Sequence, residues 1–164
     1  MHLRAVSSLA DAELVADLAE RCWRPHYTPI IGGLQVDYML GKFQSASSSL
    51  QQNTEGRDYR IIENEGSFIG YLAFDLSDHL FLSKLYVLPN SQGHGAGRWA
   101  IEQLAQEYPK LEMRLTVNKH NHNTIAFYQR VGFVKDGPIV ADIGNGFLMD
   151  DWKMHRPSYR LLRS

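Results

Sequence analysis

Between the apolar run Phe81–Leu88 and an amphipathic stretch lies Pro89-Asn90-Ser91-Gln92-Gly93-His94-Gly95-Ala96-Gly97-Arg98, with three glycines at alternate positions. A helix beginning near Gly95 leaves its first amide N–H groups without intrahelical partners, and its dipole adds partial positive charge at that end. Glycines there let the backbone turn tightly and let a bulky anion approach with no Cβ in the way. Such a junction is a phosphate cradle, or it is a tight turn whose glycines only bring helix and strand close together. Glycine spacing alone leaves both open. The loop is not a Walker A motif, because no Lys-Ser/Thr follows a final glycine. It also lacks the GxGxxG spacing of the dinucleotide fingerprint.

Other residues carry chemistry with less definition. Tyr128 lies on an apolar helical stripe, where a tyrosine is ordinarily core with a satisfied hydroxyl. Asn121 stands where a helix N-cap belongs, with Asn123 as the alternative. Asp150 and Asp151 are adjacent carboxylates among apolar residues; on a strand they point to opposite faces, so at most one faces a pocket. Asp75, Asp142 and His26 are further candidate bases or amine-binding groups, each also readable as a surface or turn residue. The seven histidines show no metal-ligand spacing. His120 and His122 suit a ligand pair on a strand but lack a third ligand, so no metal is expected.

These residues sit on a chain of 164 residues, most simply one domain over 1–164, long enough to bury a sizeable core. The formal charge is −1, which gives no hint of nucleic acid or an anionic membrane surface as partner. Cys22 is the single cysteine, so no internal disulfide forms; its place on an apolar stripe makes it a buried small hydrophobe. No stretch approaches a membrane helix, and the N-terminus lacks a signal-peptide core. A cytoplasmic location is expected.

The elements that position the candidates follow from periodicity. His2–Val6 reads as a strand. Val15, Leu18, Ala19 and Cys22 fall at helical spacing, giving a first helix to about Trp23. Pro25, Pro29 and Gly32-Gly33 then predict an aromatic-rich loop containing Trp23, His26 and Tyr27. A second helix covers Leu34–Phe43, and Ser45–Thr54 is a short helix or a loop. Tyr59–Ile62, Phe68–Phe74 and Leu80–Leu88 read as an antiparallel meander with turns at Glu65-Gly66 and Ser77-Asp78. Ile101, Leu104, Ala105 and Tyr108 mark a helix stopped by Pro109, and Leu111–Val117 is a strand. A helix with Thr124, Phe127, Tyr128 and Val131 on one stripe ends at Gly132. Phe133–Val140 and Phe147–Met154 form a closing strand pair around Gly144-Asn145-Gly146. The order predicts a mixed α/β, α+β-like fold: a sheet of about seven strands with helices on its faces.

Two stretches together carry a family resemblance. Gln92-Gly93-His94-Gly95-Ala96-Gly97 resembles the Q/R-x-x-G-x-G/A signature of the GCN5-related N-acetyltransferases (GNAT). The run Leu115 to Phe133, with Val117, Asn121, Phe127, Tyr128 and Gly132, is similar to that family's L-x-V-x-x-x-N and F-Y-x-x-x-G-F pattern. Thr124 stands where the family usually has alanine. The likeness covers about Phe68 to Phe133, and it implies a mostly antiparallel twisted sheet whose fourth and fifth strands splay apart.

The resemblance also implies acetyl-CoA as cosubstrate and an amine as acceptor. Amides from Gln92, Gly93, His94, Gly95, Ala96, Gly97 and Arg98 would receive the pyrophosphate. Val87 would pair with the pantetheine arm, and a backbone N–H near Tyr86 would stabilise the oxyanion. Asn121 and Asn118 would contact the cofactor arm. Tyr128 matches the family's tyrosine, the general acid toward the CoA thiolate. Many members of the family place a glutamate on the fourth strand, whereas Leu80–Val87 holds no carboxylate, so the base is unassigned. Trp23, His26, Tyr27 and Asp150 are the acceptor-site candidates, and a homodimer is an open expectation. A non-catalytic CoA-binding module and a nucleotide-binding regulator are the alternatives.

Overall fold

The computed structural model describes residues 1–162, without the side chain of Leu162. Among these, seven strands form one sheet in the order β1-β2-β3-β4-β5-β7-β6. Neighbouring strands are antiparallel at β1–β2, β2–β3, β5–β7 and β6–β7, while β4 and β5 are parallel. The chain divides into two compact units: Met1–Asp75 with Lys84–Ile101, and Leu76–Ser83 with the chain from Glu102 onward.

The first unit opens with β1 (His2–Ala5) and α1 (Leu9–Ile31). Ser8 caps α1 by accepting from the Asp11 amide at 3.1 Å. Asp11, in the first turn, accepts from the Ser7 amide and from Arg4 Nη1, both at 3.0 Å. The Ser7 bond is the main reason its carboxyl lies below the usual range. The helix buries Ala12, Val15, Leu18, Ala19, Cys22 and Trp23 at helical spacing.

The loop expected from Pro25 to Gly33 does not form. Helix α1 runs through both prolines and stops at Gly32, whose φ is +85° and whose amide bonds Thr28 O at 3.0 Å. Each proline removes a ladder bond, at a cost of about 3 kcal/mol. The offset is packing: Trp23 and Tyr27, one turn apart on α1, both stack on Tyr86 of β4. Helix α2 (Gly33–Phe43) turns Val36, Met39 and Leu40 inward, and α3 (Ala46–Thr54) is capped by Ser45.

Strands β2 (Asp58–Asn64) and β3 (Ser67–Leu76) are joined by Glu65-Gly66, both at positive φ, as a two-residue hairpin turn requires. The meander continues into β4 (Leu80–Val87), and Leu88 N bonds Ile69 O at 2.8 Å. Gly70 sits where β3 passes very close to β4. A Cβ built there would lie 2.2 Å from Tyr86 O and 3.1 Å from Val87 Cα, so no other residue fits without moving backbone.

In the second unit β4 and β5 (Met113–Asn118) pair at their beginnings, Leu80 with Met113 and Phe81 with Arg114. Helix α4 (Ala96–Glu107) bridges the division in sequence, and α5 (His122–Arg130) follows β5. Gly132, at φ +100°, ends α5. Strands β6 (Val134–Gly144) and β7 (Phe147–Arg156) turn at Asn145-Gly146, again both at positive φ. Helix α6 (Tyr159–Leu162) is tied back by Arg160 N to Pro109 O. No helix among the described residues is long and apolar enough to cross a membrane.

Candidate active site

The glycine loop is built in steps from the end of β4. After Val87 the chain makes a 3-10 turn over Pro89–Ser91, and Gln92 folds back so that its Nε2 donates to Val87 O at 2.9 Å. Gly93 and Gly95 follow at φ +80° and +85°, conformations that favour glycine, and α4 starts at Ala96. A Cβ built on either glycine meets nothing within 4 Å. Gln92, Gly93, His94 and Gly95 are all exposed. The two readings of the loop therefore separate: these glycines do not serve close helix–strand packing. They leave open space along the loop that leads into the first-turn amides of α4, which lie ahead of the helix ladder. This arrangement fits a phosphate-bearing ligand. Arg98 is exposed on the first turn.

The aromatic residues predicted on a loop instead form a cluster on α1. Trp23 and Tyr27 lie with ring centroids 4.6 Å apart, and His26 meets Tyr27 edge-on at 4.7 Å. Tyr86 joins Trp23 at 5.3 Å and Tyr71 at 5.5 Å, and its hydroxyl is 3.5 Å from that of Tyr27. Trp23 is buried, whereas His26, Tyr27 and Tyr86 are half-buried. Trp23, His26, Tyr27 and Tyr86 are thus brought together, next to Val87 and the loop that follows it.

On the same strand, two residues before Tyr86 and on the same face, stands Lys84, which sequence reasoning passed over. Its ammonium is buried and donates to Phe43 O at 2.8 Å, to Gln52 Oε1 at 3.1 Å and to the Tyr59 hydroxyl. Burial pushes the amine down to about 7, and the nearby Arg57 charge adds to this. Arg57 is itself held by Asp75 at 2.8 Å. The group ties the ends of α2 and α3 to β2 and β4, so it shapes the scaffold beneath the aromatic cluster.

In the second unit Asn118 and Asn121 bracket the turn from β5 into α5. Asn118 Oδ1 accepts from His120 N at 2.9 Å, and Asn121 N donates to Asn118 O at 3.0 Å. Asn121 occupies the N-cap position, yet its side chain makes no capping bond and is buried. Tyr128 is 8% exposed and packs between Phe127 and Phe133, each at 5.3 Å. The paired carboxylates of β7 separate as strand alternation requires. Asp150 is bound by Lys119 Nζ at 2.8 Å, while Asp151 is buried opposite Asn118. Burial pushes the Asp151 carboxyl up to about 6.

The other proposed bases have partners of their own. Asp75 holds Arg57, and Asp142 Oδ1 accepts from Gly144 N in the hairpin turn. Among the described residues no three His, Cys, Asp or Glu side chains converge as a metal set.

The sequence model of the acetyltransferase (GNAT) family matches residues 15–133, most of the chain. The chain belongs to that family. As a GNAT protein it is an acetyl-CoA-dependent N-acetyltransferase. A probable N-acetyltransferase of Mycobacterium tuberculosis is 29% identical over 146 residues, covering 84% of this chain and 82% of the relative. A PaiA N-acetyltransferase from Thermoplasma acidophilum, solved in complex with coenzyme A, superimposes with a TM-score of 0.73 at 20% identity, covering 96% and 99% of the two chains. A GCN5-related N-acetyltransferase from Rhodopseudomonas palustris gives 0.77 at 17% identity over 95% and 94%. Chimeras of the Vibrio cholerae spermidine N-acetyltransferase SpeG give 0.67 at 17% identity over 99% and 98%. These structures establish the GNAT fold of the chain, with its mixed seven-stranded sheet and parallel β4–β5 pair.

Proposed function

We propose that residues 1–164 work as one N-acetyltransferase domain, with acetyl-CoA seated on the glycine loop and an amine acceptor brought to it. The observation that carries this reading is the exposed loop at Gly93 and Gly95, both at positive φ with open space beside them and leading into the α4 amides, in a chain of the GNAT family. Gln92, Gly93, His94, Gly95, Ala96, Gly97 and Arg98 are the residues assigned to the pyrophosphate. Val87 and the backbone near Tyr86 are assigned to the amide-bearing arm and the carbonyl oxygen. Acetyl-CoA supplies an acetyl group activated as a thioester.

The remaining steps belong to the protein's own side chains. Asn118 and Asn121 offer amides to the arm; the absence of a capping bond from the buried Asn121 side chain supports that use. Tyr128 holds a phenolic proton for the departing sulfur. The rings of Trp23, Tyr27 and Tyr86, with His26 at their edge, make the wall for the acceptor. Electron-rich faces suit an ammonium or the alkyl chain that carries it. Asp150 stays a weaker acceptor candidate, because Lys119 already engages it.

A thermal-shift series with acetyl-CoA, CoA, ATP and NAD tests the cofactor assignment, together with turnover of acetyl-CoA against an amine panel. Protection by both CoA forms and turnover with at least one amine are expected. Protection by ATP or NAD alone sinks the assignment, and protection by CoA without turnover converts the protein to a binding module.

A further inference from the structure

The ring cluster of the first unit grades from core to surface. Tyr71 is fully buried and Trp23 is 3% exposed, whereas His26, Tyr27 and Tyr86 are half-buried. The ring planes are turned against one another: Trp23 and Tyr86 at 54°, Tyr27 and Tyr86 at 73°, His26 and Tyr27 at 84°. A half-buried ring in such a set still offers part of its face or edge, and one more ring can pack on it tilted or edge-on as its neighbours do.

The course of α1 brings these rings to the strand of the donor site. His26 and Tyr27 lie between Pro25 and Pro29, and they follow Trp23 by one turn only because α1 stays helical through both prolines. Tyr27 then meets Tyr86 of β4, hydroxyl to hydroxyl at 3.5 Å. Tyr86 directly precedes Val87 and the glycine loop. Rings, strand end and loop all belong to the same compact unit.

The charges that α1 and β4 set around the rings are committed elsewhere. Arg24, next to Trp23, is held by Glu20 at 2.5 Å and by Asp37 of α2 at 2.6 Å, and Arg21 by Asp17 at 3.3 Å. Asp11 and Glu13 lie in the first turns of α1, ten residues or more before Trp23 and so about 15 Å or more away along the helix. Lys84 is buried and gives its protons to Phe43 O, Gln52 Oε1 and the Tyr59 hydroxyl. Strand β4 carries no carboxylate. Beside Trp23, Tyr27 and Tyr86 these two elements therefore reserve no cation for a carboxylate and no anion for a second ammonium. They offer ring surface and two phenol oxygens.

We infer that the acceptor is a monoamine carried on an aromatic body, an arylalkylamine, and that Tyr27 and Tyr86 select it, an inference that rests on the acetyltransferase reading above. The acceptor's ring packs against the two tyrosine rings, whose electron-rich faces also attract its single ammonium. A carboxylate next to the amine meets those same faces and is repelled. A second ammonium at the far end is drawn out of water with no carboxylate to receive it.

The test uses the whole chain, acetyl-CoA and four acceptors that differ by one feature at a time. Butylamine has no ring, phenylethylamine adds one, phenylalanine adds a carboxylate to that, and diaminobutane adds a second ammonium to butylamine. The kcat/KM of phenylethylamine is expected to exceed that of each of the others by about tenfold or more, with the difference in KM. Tyr27→Leu keeps an apolar side chain in the packing and should shrink the ratio of phenylethylamine to butylamine below about threefold, while Tyr27→Phe should keep it. Thermal protection by acetyl-CoA should persist in both variants. A ratio that survives Tyr27→Leu, or is lost in Tyr27→Phe, overturns the assignment. The wild-type series is a readout that needs no variant: turnover that favours butylamine, phenylalanine or diaminobutane overturns this inference and leaves the acetyltransferase reading in place. A wild type that acetylates none of the four and gains no thermal protection from acetyl-CoA sinks that reading, and this inference with it.

Discussion

Gly70 permits a close approach of β3 to β4, and Gly70→Ala measures what that approach is worth. The added methyl carbon would stand 2.2 Å from Tyr86 O, with Val87 Cα at 3.1 Å and Tyr86 C at 3.2 Å. All three are backbone atoms, so no side chain can swing aside. Ordinary C···O contact begins at about 3.3 Å, so the strands must separate by about 1 Å. That displacement stretches the Leu88 N to Ile69 O bond, now 2.8 Å, beyond hydrogen-bond range. Overpacking costs about 1–3 kcal/mol and the lost bond about 1 kcal/mol. Replacing glycine in a strand returns about 0.5–1 kcal/mol of backbone entropy, which is smaller. A net loss of about 2–3 kcal/mol follows, or a Tm about 5–10 °C lower for a chain of this size. Urea and thermal melts followed by tryptophan fluorescence read it directly. Because the shift falls at Tyr86 and Val87, acetyl-CoA affinity should drop about tenfold or more in calorimetry. A Gly70→Ala protein with the wild-type midpoint and the wild-type Kd would refute both the packing argument and the place assigned to that strand.

Other expectations follow from the same kind of accounting. The Lys84 amine sits at about 7 in the native protein against 10.5 ordinarily, so between those values the unfolded chain binds more protons. Stability should therefore rise with pH above 7, by at most about 1.4 kcal/mol per unit. The rise continues until Cys22 and Tyr59, both pushed up to about 12, oppose it from about pH 9. Urea melts at pH 7, 8 and 9 should show this slope in the wild type and not in Lys84→Met. Gly95→Ala adds no clash but strains a φ of +85°, costing about 1–2 kcal/mol and weakening acetyl-CoA binding. Gly41→Ala in α2, with equal space and ordinary helical φ, should instead stabilise by about 0.5–1 kcal/mol in the same melts. Tyr128→Phe should lower kcat about a hundredfold while leaving thermal protection by acetyl-CoA intact.

Sequence patterns were most informative where one local rule governs. The two hairpin turns are set by residues at positive φ, and the helix after the glycine loop by its apolar stripe; each is readable within a few residues. The extension of α1 past Pro25 was not readable, because proline penalties are local whereas the compensating contact with Tyr86 spans about sixty positions. Helix α3 was ambiguous because Ala46–Thr54 is polar and its stability comes from a Ser45 cap and from packing. Strand alternation divided Asp150 from Asp151 but could not say which face is covered, since both parities of β7 mix polar and apolar residues. Lys84 looked like a charge on an apolar strand; the carbonyl that receives it lies 41 positions away.

Cys22 gives the protein a built-in clock. It is the single cysteine, 5% exposed in α1 beside Trp23, and burial holds its thiol at about 12. Thiol reagents attack the thiolate, so the closed protein is nearly inert to them. Labelling then proceeds only through excursions that lift α1 from its packing, and its rate counts those excursions without an engineered probe. Slowing of that rate as acetyl-CoA is added would report how strongly cofactor binding is coupled to the closure of a helix whose own ladder is interrupted twice.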